Sequence, residues 1–350
     1  MTAYGAGEDP EPTLHLYPTG ALRPPARPRT RWSLTRSRRD QPSLAKQLLL
    51  QVTTILILLT VLFPIVWVFS LSLDPLNRSR PDGLNLIPQG ASLDAYRQVI
   101  EQPTNNPISF VGLALNSLKI AIGTSVVALL IGVLAAYAFA RFKFRFREVL
   151  MIGILGVLML PAVATLTPLF VLLNQIRVDL PGLGSFNLRD SLLGVGLAII
   201  SGLLPFAIWN LKGYLDTIPR DLEEAAWVDG ASANQTFIRI ILPLALPALA
   251  VTAFLGFVAG WTEFYFSWMF LSKVPDETLA MALYAMQGQF ASTPWSVFSA
   301  FAILFAIPPA IVYFFAQQYI TSGLAVGGVK GCAGRRPPAW DPDGRPGRSR

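Results

Sequence analysis

The chain has 350 residues, of which 53% are hydrophobic and 14% charged, with a formal net charge of +7 and a mean hydropathy of +0.49. A soluble domain carries about 25% charged residues, so the composition excludes an ordinary soluble enzyme and describes an integral membrane protein. A single cysteine, Cys332, and a single histidine, His15, exclude an intramolecular disulfide and a Cys/His metal cluster, so no metal site is expected.

The chain opens on an Arg- and Pro-rich segment, "RPPARPRTRWSLTRSRR" at 23–39, whose composition fits a disordered basic tail over 1–46 lying beside anionic lipid. The same arginines would suit a nucleic-acid arm, but positive flanks next to a first membrane span are the ordinary source of such charge, and no nucleic acid is expected as a partner. A bilayer core of about 30 Å takes about 20 mostly apolar residues as helix. Six such runs occur, at 47–73, 113–140, 149–173, 191–211, 243–271 and 296–320. Helix is required because every backbone polar group must be satisfied inside lipid, so an all-α, six-span membrane domain is expected over 47–320. The first run is too long, and too far along the chain, for a cleaved signal peptide.

With the N-terminus inside, the segments 1–46, 141–148, 212–242 and 321–350 hold 21 of the 28 lysines and arginines. The excess puts both tails in the cytoplasm, and "RFKFRFRE" at 141–148 is its densest cluster. Within the spans only Lys119 and Glu263 are formally charged. Lys119 sits near the outer end of its run and can snorkel. Glu263 lies deeper, and an intramembrane carboxylate faces protein or water, which suits a structural or pathway-lining role better than proton carriage.

Between the fourth and fifth runs stands "IPRDLEEAAWVDGASANQTFIRIILP", residues 218–243. Pro219 suits the first position of a short helix, with Asp221, Glu223 and Glu224 in the early turns where the helix dipole favours negative charge. Gly230 stops that helix; Ser232 and Gln235 fit a capping box that starts a second one leading to Leu242 and Pro243. Leu222, Ala225 and Ala226 recur at helical spacing and give the first helix a small-residue face edged by carboxylates and Asp229. Such a helix fits either a groove on another protein or the membrane surface. In the fifth run Trp261, Tyr265 and Trp268 fall at i, i+4 and i+7 on one face, where aromatic rings form an interfacial belt or stack on sugar. Gly256 and Gly260 make a G-x-x-x-G that lets a neighbouring helix approach.

Glu224-Ala225-Ala226, three residues, Gly230, nine residues and then Ile240-x-Leu242-Pro243 resembles the EAA motif of the permease subunits of ATP-binding-cassette importers. "NSLKIAIGTSVVALLIGVLAAYAFARFKFRFRE" (116–148), "LPAVATLTPLFVLLNQI" (160–176) and "LAVGGVKG" (324–331) narrow the likeness to the MalG-type permeases of maltose and maltodextrin importers. The resemblance runs over about 47–331 and implies the type I importer permease fold. It also implies coupling helices at about 219–240 that dock on a cytoplasmic ATPase, with Glu224 meeting a basic residue there, the alanines allowing close fit and Gly230 turning the chain. The implied partners are a second permease, two ATPase subunits and an extracytoplasmic sugar-binding protein touched by the loop at 272–295. The family often carries Trp-Asn-Glu-Phe where this chain has Trp261-Thr262-Glu263-Phe264, and the basic tails, including 321–350, depart from its pattern. No G-x-x-x-x-G-K-[ST] occurs, so ATP is expected to be bound by a partner and the subunit itself to need no cofactor and perform no hydrolysis. An ion-coupled carrier, a non-transporting scaffold and an importer of another oligosaccharide, a polyol or glycerol phosphate are the competing readings.

Overall fold

The computed structural model describes residues 43–76, 88–180, 184–287 and 293–328. The expected basic tails lie outside these residues except for 43–46 and 321–328. Two compact units divide at Leu58. The first contributes the opening half of helix α1 (Leu44–Ser72), whose apolar side chains, Leu48, Ile55 and Ile57 among them, are exposed as a lipid-facing helix requires.

The second unit, from Leu59 onward, is built on three long helices. These are α3 (Phe110–Arg141), α6 (Leu192–Leu215) and α10 (Leu246–Trp261), joined by α13 (Trp295–Gly328). Ser109 and Ser191 cap α3 and α6 by accepting from the amides of Gly112 and Gly194. Helices this apolar gain no hydrophobic drive from meeting in lipid, so they associate by close approach of small residues and by interhelical hydrogen bonds. Gly132 lies against Ala207 and Gly256 against Ser125, while the Ser125 hydroxyl donates to the Ala253 carbonyl at 2.7 Å. Of these three helix-seam glycines Gly260 is the tightest, for a Cβ there would meet Thr124 Oγ1 and stand 2.7 Å from Ala121 Cα. Gly256 and Gly260 therefore seat α10 on α3.

Among the described residues four helices are long and apolar enough to cross a membrane alone, and two bent pairs bring the number to six. The expected third span is α4 (Arg147–Leu158) and α5 (Leu166–Gln175), bent by 99° about the Pro161 region rather than straight. Pro161 can neither donate its amide nor let the residue before it stay helical. The expected fifth span is corrected more sharply. It enters through a helical segment ending at Leu244, turns 75°, continues as α10 and stops at Trp261 instead of running to 271. A six-residue helix, α11 (Tyr265–Phe270), follows the stop.

The all-α expectation holds for the membrane part. Outside it, β1 (Arg177–Leu180) and β2 (Gly184–Asn187) form an antiparallel hairpin in the register Arg177 to Asn187. A hairpin this short shows no long alternating pattern in the sequence. Short helices α2 (Asp94–Glu101) and α12 (Leu279–Ala285) cover the same end, burying Val99 and Leu279 in one cluster with Trp261 and Phe301. Asn116 of α3 pins the following loop by donating to the carbonyls of Pro275 and Glu277 at 2.7 and 2.9 Å.

Gly260→Leu is expected to destabilise the protein by about 1–3 kcal/mol through overpacking. Gly202→Leu, where a Cβ meets nothing within 4 Å, should be neutral. Thermal unfolding of the two variants in detergent checks this; equal melting temperatures would refute the α3–α10 contact.

Candidate functional site

The loop after α6 folds as the residue pattern demands except at its start, where Pro219 precedes the helix rather than opening it and Arg220 is the N-cap. Helix α7 (Asp221–Val228) carries Asp221, Glu223 and Glu224 in its first turn. It closes in a Schellman motif: the Gly230 amide donates to Trp227 O at 3.0 Å and the Ala231 amide to Ala226 O at 2.9 Å. Gly230 sits at φ +85°, the left-handed region that the motif requires. Ser232 and Gln235 complete the capping box that opens α8 (Ala233–Thr236), and a π-helical turn at Phe237–Ile241 leads into α9 (Leu242–Leu244). Pro243 lies in that last short helix and is exposed, while Ile241 is fully buried among Val133, Ala136, Leu211 and Leu215.

The EAA residues divide into two faces. Glu223 and Ala226 turn inward and are buried, whereas Asp221, Glu224, Ala225 and Val228 form an exposed stripe at helical spacing, with Leu222, Trp227 and Asp229 exposed beside it. The small-residue face expected from Leu222, Ala225 and Ala226 is thus split: Ala226 fits α7 against its own chain, and Ala225 alone of the two alanines is available to a partner.

Glu223 is the anchor. Its carboxylate is paired with the Arg141 guanidinium at the end of α3 and accepts from Tyr137 Oη at 3.2 Å, with both charged side chains more than nine-tenths buried. Arg141 also donates to Ile218 O and Arg220 to Ala140 O, each at 3.1 Å, so the carbonyls at the α3 end and before α7 are satisfied by arginines. Sequence reading used Arg141 only as a vote on orientation and placed Glu223 on the docking face. The pairing spans 82 positions, and no local pattern signals it.

At the opposite end of α10 the expected shared face of Trp261, Tyr265 and Trp268 does not form. Trp261 is buried, donating Nε1–H to Phe305 O at 3.0 Å, while Tyr265 and Trp268 on α11 are exposed. The physical cause is Glu263, whose carboxylate accepts from the amides of Phe266 and Ser267 at 2.6 and 2.9 Å and from the Ser267 hydroxyl at 2.6 Å. Those bonds start a new helix and end the old one. Glutamate is not a common capping residue, so the break was not legible from 260–271. Lys119 remains at the outer part of α3, its ammonium 3.4 Å from Asn116 Oδ1.

The geometry is thus that of a membrane bundle with bent spans and a short acidic helix anchored at one end. A family model described as "Binding-protein-dependent transport system inner membrane component" matches residues 128–326, and the chain belongs to that family. It is 33% identical over 288 residues to the trehalose/maltose transport system permease protein MalG of Thermococcus litoralis, covering 82% of this chain and 98% of that protein. It is 34% identical over 271 residues to the galactooligosaccharides transport system permease protein GanQ of Bacillus subtilis, covering 77% and 91%. The fold matches a chain in the crystal structure of a bacterial ABC transporter involved in alginate import, with a TM-score of 0.64 at 22% identity over 80% of this chain and 99% of that one. The protein is a multi-pass membrane permease of an ATP-binding-cassette importer.

Gly230→Val should strain the Schellman turn by about 1–2 kcal/mol, since no neighbour lies within 4 Å and the cost is purely the positive φ. Hydrogen exchange across 221–236 should quicken about tenfold, with Gly230→Asn close to wild type. Unchanged exchange in Gly230→Val would contradict the turn.

Proposed function

We propose that this permease imports a sugar, with maltose, a maltodextrin or a related α-glucoside such as trehalose as the cargo. Two ATP-binding-cassette ATPase subunits drive it, a second permease completes the channel and an extracytoplasmic sugar-binding protein delivers the substrate. Support for the cargo comes from the named relatives, whose transport systems carry trehalose/maltose and galactooligosaccharides. Both termini lie in the cytoplasm, which follows from the excess of lysine and arginine in 1–46, 141–148, 212–242 and 321–350.

The observation that carries the coupling role is the exposed stripe Asp221, Glu224, Ala225 and Val228 on a helix fixed from behind by Glu223. Such a helix is marginal alone in water and is held here by its anchor and its caps. Ala225 permits close approach, Glu224 supplies a charge for a basic residue of the ATPase, and Leu242 and Pro243 carry the motion into α10. ATP hydrolysis belongs to the partner, since this sequence carries no G-x-x-x-x-G-K-[ST] loop to cradle nucleotide phosphates.

On the outer side, a cleft of about 900 Å³ lined by Arg97, Gln98, Glu101 and Asn105 together with Met286 and Pro294 of the 272–295 segment suits contact with the binding protein.

The complex, reconstituted in vesicles with its partners, should take up sugar only with ATP. Glu224→Lys should lower ATP-dependent uptake at least tenfold while membrane insertion persists. Uptake without ATP would favour an ion-coupled carrier, and normal uptake by Glu224→Lys with an intact complex would remove the docking role.

A further inference from the structure

The break between α10 and α11 gathers aromatic rings that the sequence scatters. Phe264 stands 5.6 Å from Tyr265, 6.2 Å from Trp268 and 4.6 Å from Tyr284 between ring centroids, the last of these brought in by α12. Phe264 is half-buried at the centre, while Tyr265, Trp268 and Tyr284 are 61%, 62% and 52% exposed. The opposite side of α11 is spent on packing, with Phe266, Met269 and Phe270 set against Ile120 and Leu173.

Two observations decide what this surface meets. Helix α10 rises about 24 Å from Leu246 to Trp261 at 1.5 Å per residue. Gly260, beside the break, packs on Ala121 and Thr124, well inside the apolar length of α3 (Phe110–Arg141), so the break falls within a hydrocarbon core of about 30 Å. Among the described residues the amides of Glu263, Phe264 and Tyr265 donate to no backbone acceptor, and no donor reaches the carbonyls of Gly260, Trp261, Thr262 or Glu263. Gly260 and Trp261 are buried against the chain itself, but Thr262 is exposed, and unpaired backbone at an exposed position of membrane depth needs protein or water beside it rather than lipid. The exposed side chains are aromatic rather than aliphatic, and ring faces pack against the C–H face of a pyranose while its hydroxyls stay with water and polar backbone.

We infer that Phe264, Tyr265, Trp268 and Tyr284 form a sugar-stacking platform in the outer half of the translocation pathway, so that this subunit contacts the cargo directly. The inference rests on the sugar-importer reading. It replaces the one-face grouping of Trp261, Tyr265 and Trp268: Trp261 is core, and Glu263 positions the platform by capping α11 without touching the cargo.

The test uses the complete importer, with Cys332→Ser and single cysteines at Tyr265 or Trp268. A charged methanethiosulfonate reagent, which reacts in water, should label both sites at least tenfold faster than Ile57→Cys on exposed α1, and millimolar maltose or trehalose should slow that labelling. Trp268→Ala should lower uptake about tenfold, the scale of one lost stacking contact. Trp268→Phe should keep uptake, and both variants should keep ATPase stimulation by the binding protein. Labelling no faster than at Ile57→Cys, or loss of the complex in Trp268→Ala, would make the platform a buried subunit interface and overturn the inference. Labelling that sugar does not slow, in an importer that takes up that sugar, would also overturn it while leaving the sugar-importer reading intact. A wild-type complex that takes up neither sugar with ATP would instead remove the sugar reading itself, and the platform with it.

Discussion

A buried ion pair at the Arg141 end of α3 ties the acidic helix α7 to the membrane frame. Arg141 and Glu223 are withdrawn from water together, and neither charge is tolerable there without the other. Removing one partner from such a pair costs about 3–5 kcal/mol, because the charge left behind has no solvent and no counter-ion. Tyr137 donates to the Glu223 carboxylate and Arg141 to the Ile218 carbonyl, so the pair is embedded in further hydrogen bonds. On the proposed coupling role, a load applied to the exposed stripe of α7 would reach α3 through this joint. From α3 it spreads through helices held at glycine distance, Gly132 facing α6 and Gly256 and Gly260 seating α10.

The same constraint, that nothing polar goes unpaired in a dry place, shapes the far end of α10. Glu263 is a carboxylate in the break after α10, and it is met by two amides and a hydroxyl of the next helix. Its cost is offset by what it organises, a deliberate end to one helix and the start of another. The bend after Leu244 and the break after Trp261 bracket α10, leaving a rigid rod with an articulation at each end.

The membrane frame was legible in the sequence because apolar length alone specifies a span. The runs at 47–73, 113–140, 191–211 and 296–320 each became a helix within a few residues of the expected ends, apart from the longer C-terminal extension of α13. The caps and stops were legible too, since Ser232 with Gln235 and Gly230 act on their near neighbours. Three things were not. Which of two adjacent glutamates turns inward depends on Arg141, far away in the chain. The fate of Trp261 depends on Glu263 outcompeting helix continuation, which periodicity assumes by default. The platform depends on Tyr284, contributed by a separate short helix. Each is a long-range or competing interaction, invisible to spacing.

The joint between Arg141 and Glu223 can be tested with a charge exchange in the reconstituted importer, comparing Glu223→Arg, Arg141→Glu and the double exchange for ATP-driven uptake per ATP hydrolysed. A stiff paired joint predicts that each single change uncouples uptake from hydrolysis and that the double exchange restores a substantial part of the coupling. Singles that transport normally would contradict it, as would a double exchange no better than the sum of its parts.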